Sequence, residues 1–431
     1  MKMWMESAQL VVAKAKGVYL YDVDGNKYLD GVSSLWANIH GHSHPVLLRA
    51  IRKQLNQLDH STFLGLTNVP ATLLAERLVK IAPPGLQRVF YSDNGSTAVE
   101  IALKMSFQYW RLKGSQFSSK KTFISFGNSY HGDTLGSVSV GGVDLFHKTF
   151  EPLLFKSIKV FHPDCYRCPY GKSADTCEVF CFSEVEGTLE RQHNEICGVV
   201  VEPLVQGAAG ILTAPRGFLK KLESLCRRFN VHLIVDEVAT GFGRTGTMFA
   251  CEQEGVSPDF LALAKGLSGG TLPLAATLTT EDVFNAFLGE RPEFNTFFHG
   301  HTYTGNPLAC AAALANLEIF RQERTLQRLK SKIDFLSRRL SEFRELAHVG
   351  DIRQAGFIAG IELVRDRATR ASYPSSERMG HAVILEARRQ GVILRPLGDV
   401  IVLMPPLSIS RSELGRLLDV TFASIQSATN S

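Results

Sequence analysis

Between about Thr67 and Gly305, short runs that are apolar on both parities alternate with amphipathic stretches of helical period. The runs are RVFYS, KTFISF, GVVVEP, HLIVD and FLALA; STAVEIALKMSFQYWRL and RGFLKKLESLCRRF lie among the stretches between them. A strand with one wet face alternates apolar and polar residues, so a strand apolar on both parities must be covered on both faces. Strands joined through helices meet that demand as a mostly parallel sheet with helices on either side. This predicts an α/β core. The flanks differ. VYLYDVDGNKYLDG reads as a hairpin around Asp24-Gly25, and Pro45 opens a helix. After Asn306 two long helical stretches lead into VGDIRQAGFIAGIELV and VILRPLGDVIVLMPP, then a last helix, which is the pattern of a smaller α+β unit. The expected division joins residues 1–45 with 316–431 in a small domain, against a large domain at 46–315.

Bulk chemistry removes several functions. With 45% hydrophobic and 21% charged residues over 431 positions, the chain is globular rather than disordered. Its formal charge of +5 is small and scattered, so neither a nucleic acid nor a membrane surface is expected as partner. No apolar run reaches the roughly 18 residues of a span, and the charged residues in MKMWMESAQLVVAKAKG make a poor signal peptide. Cys226, Cys251 and Cys310 sit in apolar or helix-like segments, as reduced thiols do; a cytoplasmic protein is expected.

Three local features lie where an α/β sheet binds ligands, beyond the carboxyl ends of strands. Ser92-Asp93-Asn94-Gly95-Ser96-Thr97 joins a strand to a long helix. Small residues there leave amides at a helix N-terminus for an anion, although such a turn can be only a cap. Asp236-Glu237 ends HLIVD; a carboxylate there can meet a cationic ring nitrogen, a metal or nothing. Gly241 to Gly246 spells G-x-G-x-x-G, but four residues separate Asp236 from Gly241 and no helix opens after Gly246, so a dinucleotide site is not expected. Lys265, in LALAKGLSGG, follows a buried strand; it either snorkels to solvent or is a desolvated amine suited to a Schiff base. A phosphate site, a carboxylate for a pyridinium and a strand-end lysine are together the parts of a pyridoxal-phosphate site.

SDNGSTAVEIALK, DEVATGFGRTG, AKGLSGG and HGHTYTGNPLACAAALANL resemble, in order, the signature segments of the class III aminotransferases of fold type I. The resemblance implies pyridoxal 5'-phosphate as cofactor, linked to Lys265, which also shuttles the proton. It implies that Asp236 keeps the pyridine nitrogen protonated and that Gly95 and Ser96 bind the phosphate. Tyr130 would stack on one ring face, with Val238 on the other. His301 and Thr302 would reach the phosphate in a neighbouring subunit, which implies a homodimer with shared sites. Class III members commonly carry Gln after DEV, whereas this chain has Ala239.

Within the class, SSLWANIHGHSHP, VEPLVQGAAG and RPLGDVIVLMPP are most similar to the 7,8-diaminononanoate synthases of biotin biosynthesis, which aminate 8-amino-7-oxononanoate. That likeness implies that Arg395 binds the substrate carboxylate and that Trp36, Tyr130 and the Gly300 backbone line the channel. Arg395 could instead be a structural ion pair, and Trp36 core packing. Another class III activity, on ornithine, 4-aminobutyrate or a similar ω-amine, would use the same cofactor residues. The aromatic-bearing N-terminal segment of these synthases does not precede Met1, which leaves a shortened lid or a truncated start. Leu35 stands where enzymes using S-adenosylmethionine tend to have a second Trp, and this favours lysine slightly as donor. Cys165, Cys168, Cys177 and Cys181 form two close pairs. Their spacing falls short of a zinc ribbon, so free thiols and no metal are expected, with a metal site and a disulfide as the alternatives.

Overall fold

The computed structural model describes residues 9–172, 177, 179–289 and 295–430. The hairpin at Asp24-Gly25 is present. β1 (Val12–Lys16), β2 (Tyr19–Asp22) and β3 (Lys27–Asp30) form an antiparallel meander. Asp22 closes its turn by accepting from the Asp24 and Asn26 amides.

The apolar runs form one seven-stranded sheet. Its order is β4 (Leu86–Ser92), β12 (Ala275–Thr280), β11 (Phe260–Leu263), β10 (His232–Asp236), β7 (Ile196–Val201), β5 (Thr122–Phe126) and β6 (Ile158–Val160). Only β12 runs against its neighbours in this sheet; the other pairs are parallel. β12 escaped the sequence reading because ATLTT mixes parities and follows Leu272-Pro273.

Every residue of β7, β10 and β11 is buried, and the two parities go to different places. Leu233 and Val235 pack with Phe218, Leu219 and Leu222 of α4 (Phe218–Arg228). Ile234, Val200 and Ala262 pack with Ala98, Ile101 and Ala102 of α3 (Gly95–Leu112). Each such Val, Leu or Ile contributes about 1.5–3 kcal/mol by leaving water, before chain entropy is counted.

Caps fix where the helices begin. Asn94 accepts from the Thr97 amide at 3.0 Å and starts α3. His44 precedes Pro45 at the start of α1 (Pro45–Leu55), Asn68 caps α2 (Val69–Ile81), and Asn306 caps α5 (Pro307–Gln322). α6 (Thr325–Glu342) then leads to the strands β13 (Val349–Ala355), β14 (Ile358–Leu363), β16 (Arg395–Leu397) and β17 (Val400–Leu403), which make a four-stranded antiparallel sheet in the order β13-β14-β17-β16. β15 (Val392–Ile393) follows α7 (Met379–Arg389) and pairs in parallel with β3, Val392 opposite Leu29, so the C-terminal part and the N-terminal meander share a sheet. α8 (Arg411–Thr429) closes the chain behind a Ser410/Glu413 capping box.

A small hairpin, β8 (Val205–Gln206) with β9 (Leu212–Thr213), extends from the end of β7, and Arg353 of β13 holds its turn by donating to the Gly210 carbonyl at 2.9 Å. Among the described residues no helix is long and apolar enough to cross a membrane.

Candidate active site

Parallel strands put their carboxyl ends on one edge, and three of them deliver polar groups there. β10 ends on Asp236, β7 is followed by Glu202, and Lys265 comes two residues after β11. All three line a cavity of about 480 Å³, together with Gly95 and Ser96 at the start of α3. Tyr130, His131, Val238, Ala239 and Trp36 complete much of its wall.

Strand parity separates the two neighbouring carboxylates. Asp236 faces the cavity, where Oδ2 lies 2.7 Å from His131 Nδ1 and Oδ1 accepts from the Val238 amide at 3.0 Å. Glu237 turns the other way and accepts from the Ala250 and Cys251 amides and the Thr240 hydroxyl, a structural role. Burial raises the Glu237 carboxyl above the usual range, against those donors.

Lys265 is half-buried, with φ at +35° and Nζ 5.5 Å from the centre of the Trp36 ring. Burial holds its amine below the ordinary lysine value, and Arg244 adds to this, while the charges of Asp236 and Glu202 oppose it. An amine so depressed is closer to the neutral form that attacks a carbonyl. His131 is enclosed. Burial alone would lower it, but the Asp236 hydrogen bond and charge, with the charge of Glu202, leave it raised.

Gly95 is fixed by contact: a Cβ there would stand 2.6 Å from Val238 Cγ1. Gly132 is fixed likewise, by Ser96 Oγ at 1.8 Å. The amino end of an eighteen-residue helix therefore opens on the cavity beside two positions that carry no side chain, Gly95 and Gly132, as an anion site needs. The Tyr130 hydroxyl donates to Asp133 at 2.8 Å, and burial with that bond raises the phenol.

The Gly241–Gly246 segment is a scaffold. Phe242 and Gly243 have positive φ, and a Cβ on Gly243 would meet Leu407 at 2.7 Å. Arg244 is buried and donates to the carbonyls of Pro405 at 2.7 Å, Trp36 at 3.3 Å and Asn38 at 2.8 Å. Burial pulls its pKa down to about 9.

Of the residues singled out from the sequence, Lys265, Asp236, Gly95, Ser96, Tyr130, Val238 and Trp36 meet at this cavity. Gly300, His301, Thr302 and Arg395 lie outside its lining. The Nε2 of His301 stands 3.9 Å from Oδ1 of Asp93 at the cavity wall. Arg395 is exposed on β16, with its charge felt at Tyr130. His131, Glu202 and Arg244 were not singled out, although Glu202 follows its strand much as Asp236 ends its own. Leu35 is 49% exposed and is not part of the cavity wall. Cys165, Cys168, Cys177 and Cys181 line a separate small cavity with Tyr170 and Phe180. No disulfide joins the described cysteines, and no group of three or more ligating side chains among the described residues is placed to hold a metal ion.

The class-III aminotransferase family model matches residues 1–424. The chain belongs to the class-III aminotransferases. It is a pyridoxal-phosphate-dependent transaminase of that family's fold. The adenosylmethionine-8-amino-7-oxononanoate aminotransferase of Nitratidesulfovibrio vulgaris is 56% identical over 429 residues, covering 100% of this chain and 79% of that protein. The crystal structure of the protein of the same name from Methanocaldococcus jannaschii superposes with a TM-score of 0.94 at 45% identity, covering 99% of this chain and 95% of the other. An amine transaminase from an uncultivated Pseudomonas species, in its pyridoxal-phosphate-bound form, gives 0.91 at 34% identity, covering 99% and 96%. The cavity fits that cofactor: the space at Gly95 would take a phosphate, Asp236 would supply a carboxylate, and Lys265 a desolvated amine.

Proposed function

We propose that this transaminase converts 8-amino-7-oxononanoate to 7,8-diaminononanoate in biotin biosynthesis, with S-adenosylmethionine as amino donor. The observation that carries the reading is the full-length likeness to relatives bearing that name, together with Lys265 and Asp236 at the ends of adjacent strands. Leu35, which favoured lysine, does not line the cavity, and the name that the relatives share supports S-adenosylmethionine.

Bound pyridoxal phosphate supplies an electron sink for the carbon that loses its proton. Lys265 Nζ holds the cofactor and moves that proton, and Asp236 holds the ring nitrogen protonated. Gly95 and Ser96 receive the phosphate; Tyr130 and Val238 bracket the ring. Trp36, Tyr130 and the Gly300 backbone guide the substrate chain to Arg395, which binds its carboxylate. His301 and Thr302 serve the phosphate of a second copy. Exposed Leu64, Val69, Phe298 and Tyr303, close in sequence to His301 or to α2, support a homodimer that covers them. The pairing of Val392 with Leu29 supports a small domain of residues 1–45 with 316–431 against a large one at 46–315. The absence of a membrane-crossing helix among the described residues is compatible with the cytoplasm.

The test is a half-reaction. Holoenzyme is mixed with S-adenosylmethionine or lysine, the change in cofactor absorbance is followed, and donor is removed before 8-amino-7-oxononanoate is added. One equivalent of diamine per site, after S-adenosylmethionine alone, is expected. Charging by lysine alone would overturn the donor; turnover of simple ω-amines without diamine formation would overturn the substrate.

A further inference from the structure

Glu202 is buried in the wall of the cavity. Its two oxygens are divided between two walls. Oε1 accepts from the Tyr130 amide at 3.0 Å, on the side where the cofactor ring would lie. Oε2 accepts from the Gly207 amide at 2.9 Å, on the β8–β9 hairpin. Gly207 is confined there: a Cβ would meet Trp36 Cζ3 at 3.2 Å and Glu202 Oε2 at 3.8 Å. The charged groups around this carboxylate are His131 and Asp236, with Lys265 also feeling it. His131 spends Nδ1 on Asp236, while its buried Nε2 has no hydrogen-bond partner.

A carboxylate that only filled a polar gap would need neither both walls nor a charged neighbourhood. We propose that Glu202 is a positioning residue for transamination: it clamps the Tyr130 wall to the Gly207 wall and, with His131 and Asp236, sets the charge felt at Lys265. Burial, the largest influence, lifts its own pKa to about 7; Asp236 adds to this, and His131 and the two amides oppose it. Its charge therefore changes near neutral pH. The inference rests on the roles proposed for Lys265 and Asp236, which borohydride labelling of Lys265 and turnover of Asp236→Asn test separately.

The experiment uses the holoenzyme with Glu202→Gln and Glu202→Asp. Glutamine keeps the size, but it removes the charge and presents a donor to one of the two amides. Aspartate keeps the charge on an arm too short to hold both amides. The bound cofactor is titrated by its visible absorbance, and KM and kcat are measured for the keto substrate. In Glu202→Gln the midpoint falls, by roughly threefold or more in proton affinity, because a negative charge near a cationic centre is lost. Glu202→Asp keeps the midpoint and raises KM more than it lowers kcat. A wild-type midpoint in Glu202→Gln, with only a lower melting temperature, overturns the electrostatic role; a wild-type KM in Glu202→Asp overturns the clamp.

Discussion

His131 Nδ1 and Asp236 Oδ2 stand 2.7 Å apart at the ends of two different chain segments, in a pair almost closed to solvent. The imidazole thus aims the carboxylate at the cavity while the Val238 amide holds its other oxygen. Asp236→Asn keeps the size and the Val238 bond, so the fold survives. It removes the charge meant for the ring nitrogen, and kcat is expected to fall by roughly two orders of magnitude or more. Unchanged turnover in this variant would show that Asp236 is only a structural acceptor.

Lys265→Ala is expected to retain some cofactor without covalent attachment. Turnover should fall beyond the ~10²–10⁴ of an ordinary acid–base residue, since attachment and proton transfer reside on one nitrogen. Borohydride reduction of the wild-type holoenzyme followed by peptide mapping should place the label on Lys265. A label on Lys104 or any other lysine would refute the assignment.

Gly95→Ala puts a methyl 2.6 Å from Val238 Cγ1 at the mouth of the anion site. Overpacking of this kind costs about 1–3 kcal/mol, so cofactor affinity measured by equilibrium dialysis should drop roughly tenfold or more. The double variant Gly95→Ala/Val238→Ala should recover part of that loss, because the two sites share one contact. Equal losses in the single and double variants would place the effect elsewhere.

Stability should carry a pH signature from Glu202. Its folded pKa is raised from 4.5 to about 7, so the folded chain keeps a proton that the unfolded chain has released. The stabilisation is complete below pH 4.5 and is lost as pH rises to about 7. His131, also raised, adds a loss in the same direction as pH rises through its folded value. In apoenzyme melts, the stability of wild type relative to Glu202→Gln should therefore fall between pH 5 and pH 7 by about 1–3 kcal/mol and then level off. A difference that stays constant or grows with pH would contradict the raised value.

The sheet was legible in the sequence because burial on both faces writes itself into every residue of β7 and β10, whichever parity is read. β12 was not, since its threonines satisfy their hydroxyls on backbone carbonyls, Thr277 on Ala98 and Thr279 on Asp259, which composition does not reveal. Lys265 and Asp236 stood out as charges at the ends of apolar runs. Glu202 had a similar position, inside the run GVVVEP, but nothing beside it marked it out, and His131 had no pattern around it. Their significance comes from β5, β7 and β10 lying side by side, although β5 and β7 are separated in sequence by β6. Arg395 and His301 show the opposite case: their segments were easily recognised, yet in a single copy of the chain neither lines the cavity itself.

Arg244 has a consequence for how the enzyme comes to exist. Its guanidinium ties the carbonyls of Trp36 and Asn38, near the beginning of the chain, to that of Pro405, near its end. A chain emerging from the ribosome makes the lysine and the carboxylates of the site long before it makes Pro405. Until then the Trp36 loop, with positive φ at Ser33, Ser34 and Trp36, lacks the anchor that holds it over Lys265. Chains halted just before Pro405 should therefore fail to retain cofactor through gel filtration, whereas released full-length chains should keep it. Completion of synthesis, rather than synthesis of the catalytic residues, would then be the event that arms the enzyme.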